Sequence, residues 1–327
     1  MTTNITQKAW FYEDYGTTDV LKLGDFPFPS PQSNQLLVQV LAAALNPIDS
    51  KLRQRPIAPV QFPVVPGCDM AGVVVSKGNE VFDFEIGDEV YGNIQDFNQG
   101  KLNQLGTMAQ FIVVDHDLVS KKPKNLTFEE AASLPLAVQT AVEGFRTSCF
   151  KEGWTVFVVG GAGGVGSLVV QLAKHVYGAS KVVATTSTTK VKFVEGLGAD
   201  KVVDYLKTRY EDIEERFDLV YDTIGDSENS FVLAKKGAPV IDITWPPSNP
   251  RVLYSGLTIS GKILDDLHSY LLKGKLKAVI DPTGPYHFSD LVEAFRYLET
   301  GRAKGKVVIS SFASSSLLLF PRSFGDF

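Results

Sequence analysis

The stretch from Thr155 to Gly166, TVFVVGGAGGVG, constrains this chain more than any other. TVFVV (155–159) has the composition of a buried strand, and it runs into Gly161-Ala162-Gly163-Gly164-Val165-Gly166, which fits G-x-G-x-x-G. Beyond it, Val165, Leu168, Val169, Leu172, Ala173 and Val176 recur at the spacing of one helix face. A glycine-rich turn is in general a weak signal and serves equally as a plain strand-to-helix connection. In this setting, however, it lets a dinucleotide's pyrophosphate approach the backbone and meet the free N–H groups at the helix start. Gly161, Gly163, Gly164, Val165 and Gly166 are therefore the expected cofactor contacts. No Gly-Lys-Ser/Thr ending follows, which excludes a nucleotide-hydrolysing P-loop.

The second strand of such a unit tells the two nicotinamide cofactors apart, because an acid at its end holds the ribose 2′-hydroxyl of NAD. No Asp or Glu lies between Glu152 and Glu195. The strand KVVATTS (181–187) ends instead in Thr185-Thr186-Ser187-Thr188-Thr189-Lys190. Hydroxyls followed by a cation suit a 2′-phosphate, so NADPH is the expected cofactor, with Ser187 and Lys190 as its contacts. A capping serine followed by solvated lysines is the alternative reading of the same residues.

The alternation of strand and helix continues through VKFVEGLGA, KVVDY, FDLVYDTIG and APVIDIT. That pattern predicts an α/β fold, a doubly wound parallel sheet with helices on both faces. From Lys8 to about Val119 the texture differs. There AWFYEDYG, QLLVQVLAAALNP, MAGVVVSKG, EIGDEVYG and AQFIVVDHDLV read as short strands broken by turns. At Asn125 the pattern changes, and FEEAASLPLAVQTAVEGF reads as a helix with Thr127 as N-cap and Glu130 as its capping-box partner. The strand-like KLKAVI, the helix SDLVEAFRYLETG and the strand GKVVISS close the fold. The expected division is a β-rich unit over 1–124 completed by 275–310, a dinucleotide-binding unit over 125–274, and a patternless tail over 311–327.

Composition narrows the function. With 44% hydrophobic and 21% charged residues the chain can bury a core, and 32 basic against 37 acidic residues leave it at −5, which argues against nucleic acid as a partner. The opening MTTNITQKAW has no basic start followed by an apolar run, and no apolar stretch approaches a membrane span, so the expected compartment is the cytoplasm. The two cysteines, Cys68 and Cys149, fit a reducing compartment and exclude a four-cysteine zinc lobe. Asp115-His116-Asp117 reads as a solvated turn rather than a metal site. Tyr177 and Lys181 match a Tyr-x-x-x-Lys pair by coincidence, since they fall where the first helix turns into the second strand.

One ordered set of segments carries a family likeness: LNPIDSK (45–51), PGCDMAGVV (66–74), GDEVYG (87–92), EAASLPLAVQTA (130–141), GGAGGVGSLVVQLAKHVYGASKV (160–182), LGADKVVDY (197–205), FDLVYDTIG (217–225) and GKVVI (305–309). The set resembles the medium-chain dehydrogenase/reductase superfamily, within it the zinc-free quinone oxidoreductase group, and there the plant enone and alkenal/one oxidoreductases. The resemblance implies a GroES-like substrate domain beside a Rossmann domain, with the active site in the cleft between them. Zinc-dependent relatives place cysteine, histidine and cysteine where this chain has Asn46, Cys68 and a residue near Leu136. Amide and aliphatic side chains cannot replace such ligands, so no catalytic metal is expected.

The same resemblance implies that Lys51 and Asn46 are the polar groups of the cleft, Lys51 bonding the cofactor ribose or the substrate oxygen, and that Tyr205 joins Ser187 and Lys190 at the 2′-phosphate. The plain alternatives are a surface lysine on the turn after a strand, a turn residue before Pro47, and an aromatic ending a strand. Tyr91 and Phe97 are the pocket candidates. Without zinc to polarise an alcohol, the expected chemistry is hydride transfer from NADPH to the β-carbon of an α,β-unsaturated ketone or aldehyde. A quinone is the alternative acceptor, and a crystallin-like NADPH-binding protein with weak turnover is the alternative of another class. The expected partner is a small-molecule enone, alkenal or quinone, and the chain is expected to be a monomer or homodimer.

Overall fold

Short runs of β-branched residues separated by turns give the first half its strands. The computed structural model of the chain describes residues 5–95, 104–254 and 256–312. Strands β1 (Thr6–Phe11) and β2 (Lys22–Pro27) pair antiparallel. The long β3 (Gln35–Leu45) leads into helix α1 (Pro47–Gln54), which starts on a proline whose fixed φ and missing N–H suit the first helical position. Lys51 therefore sits on a helix, not on a turn. Strands β4 (Asp69–Lys77), β5 (Glu89–Asn93), β6 (Phe111–Asp115) and β7 (Val119–Lys121) follow.

Helix α2 (Phe128–Ala132) opens on the expected cap: Glu130 N–H donates to Thr127 Oγ1 at 3.1 Å, and Thr127 N–H donates to the Glu130 carboxylate at 2.9 Å. The helix expected to run on through Phe145 is interrupted, and α3 (Pro135–Thr147) begins afresh at Pro135, which has no N–H to continue the ladder. The chain then alternates: β8 (Thr155–Val159), α4 (Gly164–His175), β9 (Lys181–Thr186), α5 (Val191–Gly196), β10 (Lys201–Asp204), β11 (Leu219–Asp222), α6 (Ser227–Leu233), β12 (Val240–Asp242) and β13 (Leu253–Tyr254). These strands form a six-stranded parallel sheet in the order β10-β9-β8-β11-β12-β13. Alternate residues of β8 enter different apolar clusters, Val156 and Val158 with α3 and α4, Phe157 and Val159 with Phe217 and Leu233, so both faces of the sheet are covered. This is the doubly wound arrangement with the strand order of a dinucleotide-binding fold.

Helix α7 (Gly261–Leu272), strand β14 (Tyr286–His287), helix α8 (Leu291–Glu299) and strand β15 (Val307–Ser310) complete the chain. β15 returns to the first half and pairs antiparallel with β3, so the seven-stranded sheet draws on both ends of the sequence. KLKAVI (275–280) is not a strand. It makes a single bridge between Ile280 and Lys306, while α7, which the sequence reading did not include, packs its apolar face of Ile263, Leu264, Leu267 and Leu271 on the core shared by the two sheets. Tyr91, read from the sequence as a pocket candidate, is fully buried in that shared core. Phe97 and the tail from 313 to 327 lie outside the described residues; Phe312, just before the latter, is buried against Phe288. Among the described residues no helix is long and apolar enough to cross a membrane.

Candidate functional site

At the C-terminal end of β8 the chain must turn within a few residues into α4. Gly160 takes φ +81°, which only glycine adopts at little cost, and its N–H donates to Thr185 Oγ1 at 3.0 Å. Gly161 N–H donates to Thr185 O at 2.9 Å and Gly163 N–H to Gly160 O at 3.1 Å, which pins the loop on β9. A Cβ at Gly166 would stand 2.1 Å from Gly160 O. At Gly163 the nearest atom to such a Cβ is 3.5 Å away, so this residue keeps open space in front of the helix start. The N–H groups of the first turn of α4, at Gly164, Val165 and Gly166, have no preceding helical carbonyl to receive them. The loop therefore fits a pyrophosphate.

Beside it, at the ends of β9 and β10, lies a corner of hydroxyls and cations. Ser187 precedes a short helical turn that ends at Lys190, and Tyr205 N–H donates to Thr186 O at 3.2 Å, bringing Tyr205 alongside with its ring half exposed. Lys190 is more engaged than the sequence implied. Its ammonium donates to Arg302 O at 2.7 Å and Ala303 O at 3.2 Å, and burial lowers its pKa. Asp204, at the end of the neighbouring strand, also stands here. Its carboxylate takes the Thr188 hydroxyl at 2.6 Å, the Leu206 N–H at 3.1 Å and the Lys207 ammonium at 3.4 Å, a set of partners that offsets its charge.

Across from these loops, α1 presents Lys51, whose ammonium donates to Trp245 O at 3.3 Å in the loop after β12. That loop is held by Asp242, fully buried, whose carboxylate accepts from Thr244, Ser227 and Ser248. Asn46 is buried and its side chain is committed: Nδ2 donates to Asp69 Oδ2 at 2.9 Å, and Oδ1 accepts from the Lys306 ammonium. Lys306 also stands 3.1 Å from Asp69 Oδ2, and Asp69 Oδ1 accepts the Leu136 N–H at 2.9 Å. Cys68 donates its thiol to Asp49 Oδ1 at 2.9 Å. Burial, followed by the Asp49 carboxylate, pushes that thiol's pKa well up, and burial pushes Asp49 up to about 6. Tyr12, Asp49, Leu52, Val64, Cys68 and Gln95 line a small hollow next to α1.

The structure thus brings Asn46 together with Cys68 and Leu136 through Asp49, Asp69 and Lys306. Among the described residues no three His, Cys, Asp or Glu side chains are arranged to hold a metal ion. Sequence reasoning did not single out Asp69 or Lys306, although both stand in the segments PGCDMAGVV and GKVVI that carry the family likeness.

Comparison with known proteins agrees with this architecture. Residues 32–124 match the alcohol dehydrogenase GroES-like domain, and residues 197–309 match a domain described as zinc-binding dehydrogenase. The chain is 48% identical over 305 residues to a 2-methylene-furan-3-one reductase of Solanum lycopersicum, covering 92% of this chain and 78% of that protein. It is 46% identical over 305 residues to an NADPH-dependent alkenal/one oxidoreductase, chloroplastic, of Arabidopsis thaliana, covering 92% and 79%. Among solved structures, the quinone oxidoreductase from Coxiella burnetii superposes with a TM-score of 0.82 at 29% identity, covering 94% of this chain and all of that one.

Proposed function

The chain belongs to the medium-chain dehydrogenase/reductase family, in its quinone oxidoreductase-like group, and from that premise we propose that it is an NADPH-dependent reductase of the carbon–carbon double bond in α,β-unsaturated ketones and aldehydes. In this reading residues 1–124 with 275–310 form the substrate unit and 125–274 the NADPH unit. The observation that carries it is a pyrophosphate-fitting loop at the end of β8 combined with a lysine on α1 that reaches to the loop after β12.

When bound, NADPH would supply the hydride for the β-carbon of the acceptor, and a proton from solvent water would complete the saturated product at the α-carbon. The free N–H groups of Gly164, Val165 and Gly166 would hold the pyrophosphate, Gly161 and Gly163 would let it approach, and Ser187, Lys190 and Tyr205 would hold the 2′-phosphate. An ammonium has three N–H donors, and the bond to Trp245 O uses one of those on Lys51. Another is available to the carbonyl oxygen, where the bond strengthens as enolate charge develops, which is the condition for lowering the barrier. Asn46, whose amide is fully engaged, acts by holding Lys306 and Asp69.

Incubation with NADPH and a small enone tests the reading. The saturated ketone is the expected product, with label on its β-carbon when 4-deuterated NADPH is used; label on a carbinol carbon would overturn the mechanism. The likeness to a quinone oxidoreductase favours one second reading, which rapid quinone reduction beside an inert enone would establish. Binding of NADPH without consumption would move the chain to the weak-turnover class. Two free cysteines suit a reducing compartment, and within that class we assign the cytosol, with a monomer or homodimer as the working unit.

A further inference from the structure

Lysines are rarely buried unless paired, and an ion pair out of water is retained only where its geometry is well defined. Lys306 is 5% exposed, Asn46 2% and Asp69 0%. The chain that delivers Lys306 is fastened to the glycine loop: Gly305 N–H donates to Ala162 O at 2.9 Å, Gly305 bridges Gly163, and Lys306 Cδ lies 3.0 Å from where a Cβ on Gly164 would stand. Its ammonium ends on Asp69 and Asn46, beside the seven-stranded sheet to which the chain continues as β15. Asp69 in turn holds Asn46, the N-cap of α1, and Leu136 in the first turn of α3. One buried pair therefore connects the glycine loop, the start of the helix that carries Lys51, and the start of α3. An apolar side chain of the same length would fill the space but would make neither the bond to Asp69 nor the bond to Asn46.

We propose that Lys306, paired with Asp69, is a positioning residue that sets the glycine loop against α1, so that a cofactor held by the loop and Lys51 address the same acceptor. What is positioned rests on the reductase reading above; the tether itself does not. Lys306 touches neither acceptor nor reacting atoms and acts through the loop and through Asn46.

The test uses the full-length protein with Lys306→Met, Lys306→Arg and the pair Asp69→Asn/Lys306→Met, the last because Lys306→Met alone strands a buried carboxylate and can prevent folding. Without cofactor, hydrogen exchange is expected to rise about tenfold, jointly in peptides covering 46–51 and 161–166, while peptides covering 191–204 stay unchanged. With NADPH and an enone, kcat is expected to fall roughly ten- to a hundredfold, with NADPH affinity changed less than about threefold and a larger isotope effect from 4-deuterated NADPH. Lys306→Arg should recover part of both. The proposal fails if exchange is unaltered, if it rises uniformly along the chain, or if the loss in rate is matched by a loss of NADPH affinity. A wild-type protein that reduces no enone, with the local exchange result intact, would sink the reductase reading and leave the tether standing.

Discussion

At the scale of single residues, Cys68 and Asp49 bear on the chemistry of the acceptor. Enones add to thiolates, so a cysteine beside an enone site is a hazard unless it stays protonated. Cys68 is buried, donates to Asp49 and has its pKa pushed well up, whereas Cys149 is exposed. Exposure to a small enone without NADPH should therefore alkylate Cys149 and spare Cys68, as read by peptide mass mapping. An adduct on Cys68 at a comparable rate would contradict the role given to Asp49. The same carboxyl predicts a pH dependence. Burial, opposed by bonds from Cys68 and the Asn46 N–H, raises Asp49 from 3.8 to about 6, so between these values the folded state holds a proton that the unfolded state has released. Its contribution to stability is complete below the unfolded value and is lost as pH rises through about 6. Asp49→Asn has no proton to lose. Melting curves of the two proteins should place the variant progressively higher relative to wild type between pH 4 and 7, and a constant offset would show that Asp49 is not raised.

At the scale of elements, the glycine loop separates what folding needs from what the cofactor needs. Gly166→Ala puts a Cβ against the backbone of Gly160, which cannot yield, and should cost about 2 kcal/mol or more of stability together with NADPH binding. Gly163 has extended backbone with φ −78°, and a Cβ there meets no atom closer than 3.5 Å. Gly163→Ala should therefore melt within a degree or two of wild type yet bind NADPH at least about tenfold more weakly, since the methyl fills the space kept for the pyrophosphate. Titration of NADPH into both variants beside their melting curves distinguishes the two effects. The strand, turn and helix of this unit were legible in the sequence because their signals are local, as was the reciprocal cap of Thr127 and Glu130. KLKAVI has the composition of a strand but finds only Lys306 as a bridge partner, so tertiary pairing overrode propensity. Lys306 and Asp69 are 237 positions apart, and Lys190 reaches carbonyls 112 and 113 positions on. No spacing rule reaches that far, which is why the glycine loop and the hydroxyl corner could be read and the buried tether could not.

At the scale of the whole molecule, the two sheets share one apolar cluster, in which Ala42, Ala71 and Tyr91 pack with α3, α4 and α7. Polar ties cross the same boundary, Lys51 to Trp245 O and Gly305 N–H to Ala162 O. Chains of two units often unfold in separable steps, but a shared core with buried ties favours a single cooperative loss of both. NADPH at about a hundredfold its dissociation constant adds roughly 2.7 kcal/mol to whatever unfolds with its site. The three tryptophans report the outcome: Trp10 packs in the apolar cluster under the seven-stranded sheet, its indole donating to Phe288 O at 2.7 Å, while Trp154 and Trp245 lie at ends of strands of the six-stranded sheet. In fluorotryptophan-labelled protein the native ¹⁹F resonances of Trp10 and Trp154 should disappear at one midpoint, and NADPH should raise both by the same few degrees. NADH at equal concentration should raise them less, because it lacks the phosphate that the proposed reading assigns to Ser187, Lys190 and Tyr205. If NADPH moves Trp154 alone, the units melt independently and the ties between them are too weak to carry the strain of a bound cofactor to α1 and Lys51.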